Sequence, residues 1–272
     1  MILHPIDPKP CPTIHYEPRP GALPAWVAIA QRQKQCAQSW WLIAQPDHAN
    51  LSGDLAANFL SPLFPRIDGS IAKAIANHDA GWAMFPAEAN PNDPPMIADD
   101  FKPRSFIEFP PEDFLRAWTR SIERAETISP AGGVMVSRHF CWLGRLRLKE
   151  QMDDESGQRL VREFLDRETA RQERLSAACG ISREQADDLL KVLQFCDVLS
   201  LYLCCGAKEE VEFPQRFGMQ TVRLKRTEDL YALSPSPFQS GSTVRTVSLG
   251  VAARKYPAQD EPKIAVLPFL LQ

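Results

Sequence analysis

One segment in the last third of the chain is apolar on nearly every face. Ser182 and Gln185 have the spacing of a capping box, which predicts that a helix begins there, and Gly206 predicts its end. Leucine, valine, phenylalanine and cysteine fill most of the positions between, so this helix has to be buried. It nevertheless carries Asp197 near its middle. Because a buried carboxylate is costly unless a cation or several hydrogen bonds compensate it, the fold must supply a partner for Asp197.

An arginine or a metal ion could be that partner, and the histidines of the chain favour the metal. Of five histidines, His48 lies in the first turn of a predicted helix, His78 ends another beside Asp79, and His139 lies within a third. Each one taken alone also fits an ordinary structural role. Imidazoles and carboxylates together suit iron, manganese or zinc. We therefore predict that His48, His78, Asp79 and Asp197 bind a divalent metal ion of one of these types.

The spacing of apolar residues predicts an α+β protein that is mainly helical. Helices are expected to begin near residues 45, 68, 111, 130, 153 and 182, and strand patterns follow from about residue 208. Residues 25–30 and 39–44 suit a β-hairpin, although the first run could equally be a short helix. The proline-rich residues 1–23 are expected to be irregular, and residues 83–109 form a long connection of the kind that often covers a site.

This pattern predicts a single domain over residues 1–272. Its helical core would span about 45–206. A β-rich part at about 208–272 would pack on that core, and the N-terminal hairpin is a candidate addition to this part.

Composition narrows the function classes. The net charge is -3 and no basic cluster is interleaved with aromatic residues, so we expect no nucleic-acid partner. The longest apolar run, residues 198–207, is shorter than the roughly 20 residues that a membrane helix needs, and the N-terminus lacks the features of a signal peptide. Seven cysteines without a Cys-x-x-Cys pair are typical of reduced, mostly buried side chains. We expect a cytoplasmic protein with a small-molecule substrate and no membrane partner. The composition is compatible with either a monomer or a homo-oligomer.

Three motifs give the chain a family resemblance. They are Gln-x-Asp-His at 45–48, His-Asp-x-Gly-Trp at 78–82 and Ser-Arg-His at 137–139, and Asp197 follows them. Their order resembles the metal signature of the HD superfamily, the His-Asp metal-dependent phosphohydrolases. The motifs are most similar to a bacterial family of unknown function placed near that superfamily. The resemblance covers roughly residues 40–205 and implies an HD-type helical core.

The resemblance also implies site residues and an activity. His48, His78, Asp79 and Asp197 would be the metal ligands, and His139 would be a further candidate ligand. The expected function is a metal-dependent hydrolase that acts on a small phosphate-containing or related substrate through a metal-bound water. His139 and Arg138 are the expected catalytic residues, assisting with charge or proton transfer.

Two departures from the superfamily pattern support an alternative. Many HD phosphohydrolases carry a lysine just after the His-Asp-x-Gly run, where this chain has Trp82, which could stack on a ring-containing substrate. Binuclear members usually have two further histidines, and here only His139 is available, so a second metal would need a carboxylate such as Glu88 or Asp47. The alternative is a non-catalytic metal- or ligand-binding regulatory module with a degenerate HD site.

Overall fold

The computed structural model describes residues 1–6, 34–258 and 264–272. All six predicted helices are present, and a short additional helix, α3, lies in the long connection. Their bounds are α1 (Gln45–Ala57), α2 (Gly69–Ile75), α3 (Pro86–Ala89), α4 (Pro111–Ile128), α5 (Pro130–Lys149), α6 (Glu155–Cys179) and α7 (Arg183–Cys204). Two 3₁₀ helices, Ala80–Met84 and Phe106–Glu108, flank α3 in the chain. The α+β class is therefore confirmed.

Local capping chemistry explains where several helices begin and end. Ser129 separates α4 from α5, and its hydroxyl accepts a hydrogen bond from the backbone N–H of Gly132. The predicted capping box of Ser182 and Gln185 is present at the start of α7. Gly180 ends α6 with a φ of 67°, a left-handed conformation that glycine adopts without steric cost.

A sheet of seven strands packs against the helices. The strands of the described part are β1 (Ile2–Pro5), β2 (Trp40–Ile43), β3 (Val211–Phe217), β4 (Gln220–Thr227), β5 (Leu230–Ser234), β6 (Gln239–Ser240), β7 (Thr243–Val244), β8 (Val247–Tyr256) and β9 (Ile264–Leu271). The order in the sheet is β1-β2-β8-β9-β5-β4-β3, and β6 pairs only with β7. The β5–β9 pair is parallel, and the other neighbours in the large sheet are antiparallel.

The N-terminal part of the sheet differs from the sequence prediction. Residues 39–44 do contain a strand, β2, but its described partners are β1 and β8. The prediction that residues 1–23 are irregular is wrong for Ile2–Pro5, because pairing with a strand distant in the chain orders this segment. The other half of the predicted hairpin, residues 25–30, lies outside the described residues.

One large apolar core joins the two layers. It contains Ile75, Phe140 and Leu199 from the helices and Leu224 and Phe269 from the sheet, each at most 5% exposed. Burial of such side chains is the dominant favourable term in folding.

Two further predictions concern the state of the cysteines and membrane-spanning helices. Cys141, Cys196, Cys204 and Cys205 are free and buried. Cys36 is disulfide-bonded, so the prediction of reduced cysteines is wrong for that residue. Among the described helices, none is long and apolar enough to cross a membrane.

Candidate metal centre

Three helical elements bring the predicted ligands together. His48 lies in the first turn of α1, His78 and Asp79 follow the end of α2, and Asp197 lies in α7. Helix α1 packs against both α2 and α7, which places the three elements around one point. His48, His78, Asp79 and Asp197 are each at most 8% exposed, so the cluster is removed from solvent. The structure therefore collects side chains that are widely separated in sequence.

The distances within the cluster suit a single metal ion. Nε2 of His48 lies 3.1 Å from Oδ2 of Asp79 and 3.6 Å from Oδ1 of Asp197. Nε2 of His78 lies 3.4 Å from the same Asp197 oxygen and 3.7 Å from Oδ2 of Asp79. Two ligands bonded at ~2.1 Å to one metal, at tetrahedral or octahedral angles, lie about 3.0–3.4 Å apart. The donor atoms of His48, His78 and Asp197 all lie within 4.8 Å of one another, so these three side chains form a group that could hold one ion, and Asp79 borders it through its contacts with both imidazoles.

Two buried serines orient His48. Its Nδ1 lies 2.7 Å from the hydroxyl oxygen of Ser200, and that hydroxyl donates to the backbone carbonyl of Asp197 at 2.8 Å. Ser52 lies 2.8 Å from Ser200 and completes the group. With Nδ1–H donated to Ser200, Nε2 is the nitrogen directed at the carboxylates, 3.1 Å from Oδ2 of Asp79, and it is the atom that would bind a metal ion.

Sequence reasoning missed both serines, although their spacing was a usable signal. Ser52 follows His48 by four residues and Ser200 follows Asp197 by three, which places each serine on the same helix face as a predicted ligand.

His78 has a more restricted arrangement. Its Nδ1 lies 2.8 Å from the backbone carbonyl oxygen of Ile75, which can only accept, so Nδ1 carries a proton. Nε2 is buried and has no hydrogen-bond partner among the described residues, although two carboxylate oxygens lie within 3.7 Å. A bare lone pair facing carboxylates is unfavourable. Nε2 therefore needs either a second proton or a metal ion.

The protonation of the cluster follows from burial and charge. Burial alone lowers the pKa of His78, but the charges of Asp79 and Asp197 outweigh it and raise that pKa to about 9. Burial raises the pKa of Asp197, but the His78 imidazole, whose Nε2 lies 3.4 Å from Oδ1, and the charges of the surrounding imidazoles lower that pKa to about 2. The metal-free protein thus holds a proton on His78 at neutral pH, in the position that a metal ion would take.

Metal binding should consequently release about one proton at neutral pH, because the ligand form of histidine is neutral. The sign follows from the raised pKa of His78: below about 9 the proton competes with the metal. Apparent affinity should rise about tenfold per pH unit between about pH 6.5 and pH 8. Calorimetric titration of the metal-free protein with Mn²⁺, in buffers of different ionisation enthalpy, measures the proton count. Binding with no proton released would contradict this assignment of His78.

Asp79 is held by Trp82 and by the backbone behind it. The indole N–H of Trp82 donates to Oδ1 of Asp79 at 3.2 Å, which leaves Oδ2 directed toward the imidazoles. The N–H of Gly81 donates to the hydroxyl of Ser121 in α4 at 2.9 Å. Through this hydrogen bond, Trp82 orients a candidate metal ligand.

His139 borders the cluster from α5. Its Nε2 lies 3.7 Å from Oδ2 of Asp197, and its ring lies 5.8 Å from that of His78, centroid to centroid. Burial lowers the pKa of His139 to about 4, and the charge of Asp197 only partly offsets this, so the imidazole is neutral at pH 7. Nδ1 is buried and has no hydrogen-bond partner. His139 is therefore placed as a further ligand or as a hydrogen-bonding group beside the metal.

Arg138, Glu88 and Asp47 lie elsewhere. The guanidinium of Arg138 pairs with Asp187 on α7, and Arg138 is not among the residues that line the cavity beside the cluster. Glu88 accepts the backbone N–H of Gln45 at 2.7 Å and pairs with the amino group of Met1. Neither Glu88 nor Asp47 belongs to the histidine–carboxylate group, so the structure does not supply the suggested second metal site from them.

A cavity of about 150 Å³ lies beside the cluster, and His48, Asp79, His139 and Asp197 form part of its wall. Most of the rest is apolar. Its aromatic members are Trp82, Phe106, Phe114, Trp118 and Phe140. Phe106 comes from the long 83–109 connection, which thus contributes to the wall as well as to the surface. A small, largely apolar molecule fits such a space.

Arg147 is the arginine in the cavity wall, and sequence reasoning did not single it out. Its guanidinium makes two hydrogen bonds to Asp153, at 2.9 and 2.6 Å, and lies 4.3 Å from the ring centre of Phe114. Its charge is therefore largely compensated within the protein.

Fold and site together define an α+β protein with a buried histidine–carboxylate cluster where three helical elements meet. The family model described as "Protein of unknown function (DUF3891)" matches residues 32–251, and the chain therefore belongs to this family. No curated protein and no solved structure matches the chain. The resemblance to a family of unknown function is thus confirmed at that level, and a relation to the HD superfamily stays a prediction.

Proposed function

We propose that the protein is a metal-dependent hydrolase of HD type, acting on a small phosphate-containing or related ester. One observation carries the metal site: Nε2 of His78 is buried, has no hydrogen-bond partner within residues 1–6, 34–258 and 264–272, and faces the oxygens of Asp79 and Asp197. Buried polar atoms without partners are rare in folded proteins, and one surrounded by carboxylates indicates a cation. The succession of His48, His78–Asp79 and Asp197 on separate helical elements supports the HD-type arrangement.

The residues would divide the work as follows. A divalent metal bound there supplies Lewis acidity and a nucleophilic water near neutral pH. Ser200 and the carbonyl of Ile75 fix the two imidazoles, and Trp82 fixes Asp79, so the ligand set is preorganised.

His139 would not act as a strong general base. A pKa of about 4 makes its imidazole a weak base at pH 7, since proton transfer is most effective when the pKa is near the working pH. We therefore assign it to ligand binding or to hydrogen bonding with the substrate. Arg138 has no such role in the proposal, because it pairs with Asp187.

The alternative is a binding or regulatory module that keeps the cluster without turnover. It is favoured by the cavity wall, where Arg147 is paired with Asp153 and where Trp82 stands at the position at which many HD phosphohydrolases carry a lysine. An anionic phosphate would then depend on the metal for most of its charge compensation. The module would bind a metal ion or another ligand, and the absence of hydrolysis separates it from the first candidate.

The test begins with untagged protein analysed for bound iron, manganese and zinc. Reconstituted protein is then assayed with p-nitrophenyl phosphate, bis(p-nitrophenyl) phosphate and p-nitrophenyl acetate, beside a His78→Gln variant. We expect about one metal ion per chain and turnover that is lost in His78→Gln. Stoichiometric metal without turnover would favour the regulatory module. Protein that takes up no metal after reconstitution would overturn the hydrolase and support a ligand-binding regulatory module.

A further inference from the structure

Gln45 is a buried polar residue to which the proposed chemistry assigns no role. It is the first residue of α1, it is 1% exposed, and it lines the cavity. Its backbone N–H donates to Glu88, which fixes the start of the helix. Its side-chain carboxamide, in contrast, has no hydrogen-bond partner in the described part of the chain, at either the oxygen or the nitrogen. A buried carboxamide with both ends free is unfavourable unless a ligand completes it.

The position of Gln45 connects it to the cluster. Gln45 precedes His48 by three residues on α1, so both side chains lie on one face of that helix. Both also line the same cavity. A molecule with one end at the metal ligands would therefore meet the carboxamide along the same wall.

The cavity limits the body of such a molecule to about one ring. Its volume is about 150 Å³, and an apolar cavity of this size in another protein holds benzene. Trp118 and Phe140 stack with their ring centres 5.0 Å apart and planes 18° apart, and both contribute to the wall. Aromatic side chains favour flat ligands through offset or edge-to-face contacts.

The charges around the cavity favour a neutral polar edge. A carboxamide offers a donor and an acceptor side by side and no charge. Arg147, which could have compensated an anionic edge, is already bound to Asp153 by two hydrogen bonds. A buried carboxylate at Gln45 would therefore lack a cation, whereas an amide edge would satisfy both ends of the side chain.

We infer that Gln45 is a specificity-determining residue that binds the amide edge of a small ring-containing substrate within this cavity. The inference rests on the proposed function in one respect, since it takes the cavity as the substrate-binding space of the metal site. It adds the substrate class: a single flat ring with an adjacent carbonyl acceptor and N–H donor, as in an aromatic carboxamide or a lactam.

Benzamide, benzoate and toluene provide the test, because they share one ring and differ in the polar edge. Binding to the full chain is measured by ligand titration followed by NMR, for wild type and for Gln45→Met, which keeps the side-chain length and removes the carboxamide. We expect benzamide to bind wild type at least about tenfold more tightly than Gln45→Met, because two hydrogen bonds are lost. Toluene should bind the variant at least as well as wild type.

A stability measurement separates recognition from a structural role. If Gln45 serves a ligand, Gln45→Met removes an unsatisfied buried group and should raise Tm by about 2 °C or more. A lower Tm, equal benzamide affinity in the two proteins, or tighter binding of benzoate than benzamide to wild type would each overturn the inference. These readouts need no turnover, so a failure of the proposed hydrolase leaves them interpretable, and their failure leaves the metal test intact.

Discussion

An Asp197→Asn variant should bind a divalent metal at least on the order of 100-fold more weakly than wild type. Residues that only orient a metal ligand typically cost about 10- to 100-fold when removed, and Asp197 is placed as a ligand itself. Its carboxylate oxygens lie within 3.7 Å of His48, His78 and His139, so one substitution removes the charge that these imidazoles share. Asparagine keeps the volume of the side chain. The affinity is measured by competition with a chelating dye.

The same helix offers a matched control. Asp187→Asn makes the same chemical change in α7, at a residue that pairs with Arg138 and does not line the cavity. Its metal affinity should equal that of wild type. Circular dichroism of both variants establishes that the helices are retained. If Asp197→Asn binds metal as tightly as Asp187→Asn, the cluster is not the metal site.

A Gly81→Ala variant should lose about 3 kcal/mol or more of the free energy of unfolding. A Cβ at Gly81 would lie 2.0 Å from the backbone carbonyl oxygen of Ala117 and 2.7 Å from the backbone nitrogen of Ser121. Both atoms belong to α4, and a rigid helix cannot move aside as the end of a side chain can. Glycine is thus required by the close approach of two backbones. Urea denaturation of wild type and variant measures the difference.

Gly69→Ala is the control for this change. Gly69 is the first residue of α2, and a Cβ there would meet no atom within 4 Å. Its free energy of unfolding should be unchanged or raised by less than about 1 kcal/mol, because alanine is the better helix former. A Gly81→Ala variant as stable as Gly69→Ala would show that α4 and the turn at residues 78–82 are less closely packed than the structure indicates.

Much of the helical architecture could be predicted because its signals are local. Ser129, Ser182 and Gly180 act on backbone groups within a few residues, and those contacts do not depend on the rest of the fold. The pairing of Ile2–Pro5 with Trp40–Ile43 depends on strands far apart in the chain, and no local pattern specifies that partner. The prediction therefore failed at the N-terminal edge of the sheet.

At the candidate site, too, the features that depend on single residues could be predicted and those that depend on the spatial arrangement could not. Residue type and burial sufficed to select His48, His78 and Asp197, since few side chains of that chemistry occur in apolar helices. The sequence did not show which way each helical side chain points. Arg138 precedes His139, but consecutive helical residues point about 100° apart, and Arg138 pairs with Asp187. The free carboxamide of Gln45 could only be recognised once its surroundings were known.

The spread of the cluster along the chain has a consequence for unfolding. An ion held by His48 and Asp197 would join α1 to α7 as a removable cross-link that closes most of the helical region into one loop. Such a link restricts the unfolded chain most when the loop is long, and it would oppose any opening that separates the two helices. Strands β3 and β4, at the far edge of the sheet, lie outside that loop and could fray without breaking it. Adding metal should therefore slow hydrogen exchange in the helices and change it little in these two strands.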